Sequence, residues 1–264
     1  MSPCRLLFFL WIGVGGATAG PLDPAWRDAS NLLFNQAHQQ FQRAAKKEGA
    51  AERERMLGHG ITLLNLQPRT QSNLEEARAL FQRLMAQAPE SGEARFAAFY
   101  LARLYELYDH PAQPDQARRL YRQLLEDHPG DLLAERSASC LVLLDLYETI
   151  SDEERTRRFH ALESWASRLR TPTGRRDFSL NMGYACLDFP AIEASRARAI
   201  HYLLAAEKEG ITQHQMEART WIAIGELARL EGRKELAREY YQKFLTKYRR
   251  DNRHYTLQKR LETL

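Results

Sequence analysis

The feature that most constrains the fold is a recurrence of small and aromatic residues at intervals of forty. An alanine is followed four residues later by a ring, and three residues further on by another apolar residue. The three columns are Ala37, Ala77, Ala117, Ala197 and Ala237; Phe41, Phe81, Tyr121, His201 and Tyr241; and Ala44, Leu84, Leu124, Leu204 and Phe244. Residues four apart share one helical face, so each alanine predicts a close helix crossing and each ring fills the neighbouring seam.

One member of the series is degenerate. It falls at Arg157, where no small residue stands, and Thr156, Phe159 and Leu162 could substitute only after a slip of one or two residues. An ordinary bundle of amphipathic helices would also place apolar residues three and four apart. A bundle, however, gives no reason for a repeat at forty.

The last repeat, Glu217 to Asp251, carries the most specific spacing. Its pattern is Trp221, Ile224, Gly225 and Ala228, then Ala237 and Tyr241. This spacing resembles the tetratricopeptide (TPR) pattern W-x2-L-G-x2-Y…A-x3-F. Here Ile stands for the Leu of that pattern, Ala for its Tyr and Tyr for its Phe. A TPR unit buries its apolar face only against neighbours. The resemblance therefore implies an all-α fold, an α-solenoid of antiparallel helical hairpins wound as a right-handed superhelix.

Prolines and glycines between apolar-periodic runs set the expected helix boundaries. They predict about twelve helices, beginning near residues 24, 51, 73, 91, 114, 132, 152, 176, 193, 213, 233 and 251. No run alternates with period two for long enough to be a strand. If Gly225 marks the close-packing site of a first helix, its counterparts are Gly183 and Ala102. The forty-residue interval is longer than the 34 residues of a typical TPR, and the extra residues then fall in the hairpin turns. The clearest such turn is 108–115, which is either a binding insertion or neutral loop variation.

The N-terminus predicts export. Arg5 precedes the apolar run Leu6 to Val14, and Ala17-Thr18-Ala19 supplies a cleavage site of the A-x-A kind before Gly20. We expect residues 1–19 to be a secretory signal and residues 20–264 to be one TPR-like domain, periplasmic or extracellular, although an uncleaved anchor remains an alternative. The helix from Ala117 to Leu125 resembles those of TPR proteins of the bacterial cell envelope. Cys4 precedes the apolar run, which separates the chain from the lipoproteins among them.

Cysteine and charge patterns leave two further alternatives. Cys140 and Cys186 would be either a disulfide, which an exported protein permits, or two buried thiols. The net charge is +4, with 38 Lys and Arg against 34 Asp and Glu. The basic excess concentrates near the C-terminus and indicates either a contact for an anionic surface or the polar capping helix that a terminal repeat needs. Its members are Lys243, Lys247, Arg249, Arg250, Arg253, Lys259 and Arg260.

Motifs for catalysis are missing from the sequence. The eight histidines show no H-E-x-x-H spacing, and no C-x-x-C, G-x-S-x-G or phosphate-cradling glycine loop occurs. His201 falls in the ring column and is interpreted as a packing residue. The sequence thus predicts no catalytic residue, no metal ligand, no cofactor and no nucleic-acid reader.

The TPR resemblance also implies where partners bind. In such arrays the first helices of the hairpins line the concave face, and partner proteins lie there as an extended segment or a helix. Arg and Tyr are frequent interface anchors. The candidate partner-binding residues are Phe99, Arg103, Glu106, Arg136, Tyr147, Asp177, Tyr184, Arg219, Glu226 and Arg229.

Two functions remain open at this level. One is an exported TPR-type scaffold or adaptor for other proteins, which the export signal leads us to expect in the cell envelope. The other is a non-catalytic accessory module of a cell-envelope enzyme or export machine. These functions differ in what co-purifies with the protein.

Overall fold

The protein is all-helical across the residues described by its computed structural model, which are 22–44 and 48–264. Those ranges contain thirteen α-helices and no β-strand. The helices are α1 (Asp23–Ser30), α2 (Phe34–Arg43), α3 (Ala50–Asn65), α4 (Gln71–Gln87), α5 (Gly92–Leu107), α6 (Pro114–Asp127), α7 (Leu132–Leu146), α8 (Asp152–Ala166), α9 (Pro172–Asp188), α10 (Ser195–Glu209), α11 (His214–Leu230), α12 (Lys234–Lys247) and α13 (His254–Glu262). The expected signal segment 1–19 lies outside the described residues.

The prediction of about twelve helices needs one correction. The first expected helix is in fact two, because the chain turns between Ser30 and Phe34. Leu32 adopts a left-handed backbone conformation there, with φ 64°. Neither Gly nor Pro marks this turn, so it could not be predicted from turn residues. The ninth helix also begins earlier than expected, since Pro172 occupies its first turn behind the N-cap Thr171.

The chain forms two compact units, Met1–Leu120 and Tyr121–Leu264. In the first unit, consecutive helices from α1 to α5 pack on one another, and α3 also contacts α5 directly. In the second unit, consecutive helices from α7 to α13 do the same, and α7 also contacts α9. Each unit is thus built from neighbouring helices along the chain, as a repeat protein requires.

In the first unit the alanine and ring columns form the helix seams. Ala37, Phe41, Ala77 and Phe81 are all fully buried. Glycines of α3 receive the rings: a Cβ on Gly58 would lie 2.3 Å from the Phe41 ring, and one on Gly60 would lie 2.6 Å from the Phe81 ring. The seams therefore depend on glycine where a ring meets the backbone.

The expected enlarged turn is also present, between α5 and α6. Arg78 of α4 pairs with the buried Asp109 of this turn at 2.5 Å.

In the second unit two of the predicted column members are wrong. Ala197 and His201 are exposed, so His201 is not a packing residue of the seam. Ala199 and Leu203, two residues later, are fully buried instead, and a Cβ on Gly183 would lie 2.8 Å from the Leu203 side chain. The close-packing role of Gly183 is thereby confirmed, with a different partner.

The degenerate repeat slips in the opposite direction. In α8 the fully buried ring is Phe159, and the position four residues before it is Arg155, which is 8% exposed. Arg155 donates to the carbonyl oxygens of Leu146 at 2.9 Å and Glu148 at 3.3 Å. Its guanidinium also lies 4.0 Å from the centroid of the Phe189 ring. A buried cation that caps the end of α7 thus replaces the usual alanine.

The C-terminal helix α13 packs on α12 and buries Leu257. Most of the basic residues around it form ion pairs: Lys243 with Glu207, Lys247 with Glu217, Arg253 with Asp251, Lys259 with Glu262 and Arg260 with Glu226. Acidic partners therefore offset much of the C-terminal positive charge locally, which agrees with the capping interpretation.

Candidate functional site

The candidate site lies where the first turns of α7 and α9 stand side by side in the second unit. Both turns are fixed by side-chain caps. Asp131 accepts from the backbone N–H of Leu133 at 2.8 Å, and Thr171 accepts from that of Gly174 at 3.0 Å. Such caps satisfy N–H groups that have no partner inside the helix. The two helix starts are therefore set by their own sequences.

Glu135 fastens these two helix starts together. Its side chain, 1% exposed, reaches from α7 to the start of α9, where it accepts from the backbone N–H of Thr171 at 2.9 Å and from that of Arg170 at 2.5 Å. The Thr171 hydroxyl donates to the same carboxylate. Carboxylates are favoured at helix N-termini, where N–H groups and the helix dipole converge. This contact fixes the distance between the neighbouring residues of α7 and α9.

A small notch opens beside this contact. It combines an apolar side chain, hydroxyls and charges of both signs. The lining residues are Leu132, Arg136, Ser139, Thr173, Gly174 and Asp177. Two of the predicted partner-binding residues, Arg136 and Asp177, therefore meet in one place.

The chemistry of the notch suits a polypeptide partner. Leu132 is 43% exposed and offers an apolar contact. Ser139 is only 8% exposed, and its buried hydroxyl oxygen has no hydrogen-bond partner among the described residues. Asp177 pairs with Arg176 at 2.8 Å, which leaves a charged rim. An apolar contact with a polar rim is the usual composition of a protein interface.

Further along α9, a second predicted group is held by hydrogen bonding and stacking. The hydroxyls of Tyr184 and Thr220 lie 3.0 Å apart in a hydrogen bond between α9 and α11. Burial raises the pKa of Tyr184 above its usual value. The exposed Arg219 lies over the Tyr184 ring, 4.4 Å from its centroid. Arg219 is thus the accessible member of this group, and Tyr184 supports it from below.

Comparison with known proteins identifies the repeat. The tetratricopeptide repeat family model matches residues 96–131 and 221–250. The chain is a TPR-like repeat protein. No curated protein matches the chain. The first matched segment spans most of α5 and all of α6, and the second spans the later part of α11 and α12.

The TPR assignment gives the class of function in broad terms. TPR repeats suggest a scaffold for protein–protein interaction, and the TPR family is generally non-catalytic. Among the residues described, no three His, Cys, Asp or Glu side chains are grouped so as to hold a metal ion. None of the described helices is both long enough and apolar enough to cross a membrane.

Near the C-terminal end of α11, the predicted partner-binding residues Glu226 and Arg229 form contacts within the protein. Glu226 accepts from the Tyr241 hydroxyl at 2.6 Å and from Arg229 at 3.3 Å, and it also pairs with Arg260 of α13. Burial alone would raise the pKa of Glu226, but the hydrogen bonds from Tyr241 and Arg260 outweigh it, so this pKa lies below its usual value. Glu226 therefore anchors the C-terminal helix through Arg260, and Arg229 is paired with Glu226 within α11.

The remaining predicted residues are placed less favourably for a partner. Tyr147 is 41% exposed, but its hydroxyl donates to Asp188 at 2.6 Å, and its ring meets Phe189 edge to face. In the first unit Phe99 is 5% exposed and packs edge to face on Tyr100. Arg103 pairs with Glu106 at 2.9 Å, one turn along α5.

Sequence reasoning missed four residues that line the notch: Leu132, Ser139, Thr173 and Gly174. It selected residues by type, as Arg, Tyr or an acidic partner beside a presumed packing position. Ser139 lies one turn after the selected Arg136, and Thr173 one turn before Asp177. The helical periodicity of α7 and α9 could have found both, since residues three and four apart share a face.

Proposed function

We propose that the protein is an exported TPR scaffold that holds a partner protein through the first helices of its hairpins. The observation that carries this proposal is the α7–α9 notch. There Arg136 and Asp177 come together beside an exposed leucine and a buried serine hydroxyl that lacks a partner. A buried polar group without a hydrogen bond is costly, so a polypeptide whose docking opens the notch to this hydroxyl would gain by bonding to it.

The partner-binding face in this proposal is narrower than the one predicted from the sequence. It comprises the notch on α7 and α9 together with Arg219 on α11. Reversing the charge of Arg103 or Arg229 would break ion pairs with Glu106 and Glu226, so such variants would mix binding with stability. Arg136 and Thr173 are better positions, because they line the notch directly.

A blocked notch tests the proposal. The double variant Arg136→Glu with Thr173→Trp should remove capture of the native partner in a pull-down from the source envelope fraction, while helicity by circular dichroism stays unchanged. Arg250→Glu, an exposed position beyond α12, is the matched control and should capture the partner as the unaltered protein does. Equal capture by the double variant would contradict the assignment of the notch.

Export is supported by the pattern of residues 1–19 alone. Expression of the full chain should yield a periplasmic or secreted product whose N-terminal residue is Gly20. A product that keeps Met1 and sediments with membranes would support the uncleaved anchor instead.

The accessory-module alternative differs in the identity of the captured protein. If the captured protein is a cell-wall hydrolase or a component of an export machine, the scaffold acts as its accessory. Mass spectrometry of crosslinked native complexes separates the two cases. The notch is the contact site in either case, so the blocked variant tests both.

A further inference from the structure

Two histidines of the first unit face each other in the seam between α2 and α3. The ring centroids of His38 and His59 lie 4.9 Å apart. His59 is 6% exposed. The Nδ1 atom of His38 and the Nε2 atom of His59 are both buried, and neither has a hydrogen-bond partner among the described residues. Two adjacent imidazoles with unsatisfied nitrogens are unusual in a packed seam.

The packing around the pair leaves little room for water. Gly58 precedes His59, and the Phe41 ring, one turn after His38, lies directly against the Gly58 backbone. Phe41 is fully buried. A proton added to the buried His59 would place a poorly solvated positive charge in this seam, which carries a free-energy cost. His38 is only half-buried, so the cost there is smaller.

The charged groups around the pair only partly offset that cost. From α4, Glu76 brings a carboxylate oxygen to 3.8 Å from His59 Nε2, but its own side chain is 51% exposed. From α3, Arg55 adds positive charge near His59, although it pairs with Glu52. On α1, the Asp28 carboxylate accepts a hydrogen bond of 2.6 Å from the side-chain amide of Gln40 of α2. On the α5 side, Glu93 lies 3.5 Å from Arg53.

We infer that this seam is an acid-labile contact, which holds the α1–α2 hairpin on α3 at neutral pH and releases it under mild acid. Opening would break hydrogen bonds that cross the seam as well as the apolar packing of Phe41 against Gly58. Trp26 of α1 donates to Glu54 at 2.7 Å, and Arg55 donates to the Phe41 carbonyl at 3.3 Å. Release would expose the Phe41 and Trp26 rings, which pack edge to face with centroids 5.0 Å apart.

The direction of the pH effect follows from the two imidazoles. Burial, the neighbouring His38 and Arg55 lower the pKa of His59 from 6.5 to about 4, and burial also lowers the pKa of His38. The closed seam therefore binds fewer protons than the open one. Its stability is complete above pH 6.5 and declines as the pH falls from 6.5 toward 4.

Hydrogen exchange measured on the full chain tests this inference. Between pH 8 and pH 5, after correction for intrinsic exchange rates, the protection of α2 and of the first turns of α3 should fall at least about tenfold. The protection of α11 and α12 should hold steady. His59→Gln should flatten the response, and His160→Gln, an exposed position on α8, should leave it intact. Glu76→Gln should enlarge the response, because a carboxylate that offsets the proton is removed.

An equal loss of protection in His59→Gln and the unaltered protein would overturn the inference. If His59→Gln does not fold, an NMR titration of the His59 ring in the unaltered protein decides instead. A pKa below about 5.5, at least about one unit under the unperturbed value of about 6.5, supports the acid-labile seam, and any higher pKa contradicts it.

Discussion

The side chain of Glu135, in the middle of the chain, accepts a hydrogen bond of 2.9 Å from the backbone N–H of Thr171, thirty-six residues later. This contact joins the start of α7 to the start of α9, and the notch that carries the proposed function lies beside it. The position of the notch therefore depends on a single buried carboxylate.

Replacing Glu135 by Ala should lower the free energy of unfolding by about 2 kcal/mol, because the backbone N–H groups of Arg170 and Thr171 lose their acceptor. Chemical denaturation followed by circular dichroism measures the loss. Glu153→Ala is the matched control, since Glu153 is an exposed carboxylate in the first turn of α8. Similar losses in the two variants would show that Glu135 has no special role.

Gly174 tests the same contact from the opposite side. A Cβ at this position would lie 2.1 Å from the Glu135 carboxylate oxygen. Gly174→Ala should therefore push the carboxylate away and destabilise the protein by about 2 kcal/mol, although alanine is the better helix former. Gly92→Ala is the control, because its nearest contact is a flexible arginine side chain at 3.8 Å. Thermal melts of both variants measure the difference, and the Gly92→Ala control should be neutral or stabilising.

Arg155 should contribute more to the free energy of unfolding than the nearby Arg157. Arg155→Ala removes the donor that caps the Leu146 and Glu148 carbonyls, and it should cost about 2 kcal/mol. Arg157 has a side chain 78% exposed, so Arg157→Ala should change stability by less than about 0.5 kcal/mol. Urea denaturation of both variants makes the comparison, and the reverse order of stability would contradict the assignment of Arg155 to the seam.

Cys186 should resist alkylation in the folded protein. Burial raises the pKa of its thiol to about 12, and the thiolate is the reactive form. Iodoacetamide at pH 8 should label Cys186 orders of magnitude more slowly in the native state than in denaturant. Cys140 and Cys186 are both buried thiols, so denaturation without reductant should add one label at each. No added label at these positions would show that they are bridged.

The sequence predicted most of the fold because close packing leaves a residue-type signature. Alanine, glycine and a ring recur wherever two helices of a TPR-like repeat touch, and these residues mark the seams from Ala37 to Tyr241. The prediction failed where another interaction replaced that signature. Arg155 caps carbonyls in place of an alanine, and α10 is shifted so that Leu203 fills the seam instead of His201.

The site was harder to predict than the fold. Arg136 and Asp177 were selected by residue type, and the structure brings them together because Glu135 fixes the two helix starts. Ser139 carries no sequence signal of its own, since its importance comes from burial without a partner. Glu226 and Arg229 were selected as partner-binding residues, but Arg260 of the C-terminal helix pairs with Glu226, and Glu226 in turn pairs with Arg229. Long-range contacts of this kind do not follow from local periodicity.

Site-specific photo-crosslinking tests the central claim most directly. A benzophenone side chain placed at Thr173, on the rim of the notch, should crosslink the native partner. The same group at Arg157, on the exposed surface of α8, should not. Crosslinking from Arg157 and not from Thr173 would contradict the proposal that the partner binds across α7 and α9.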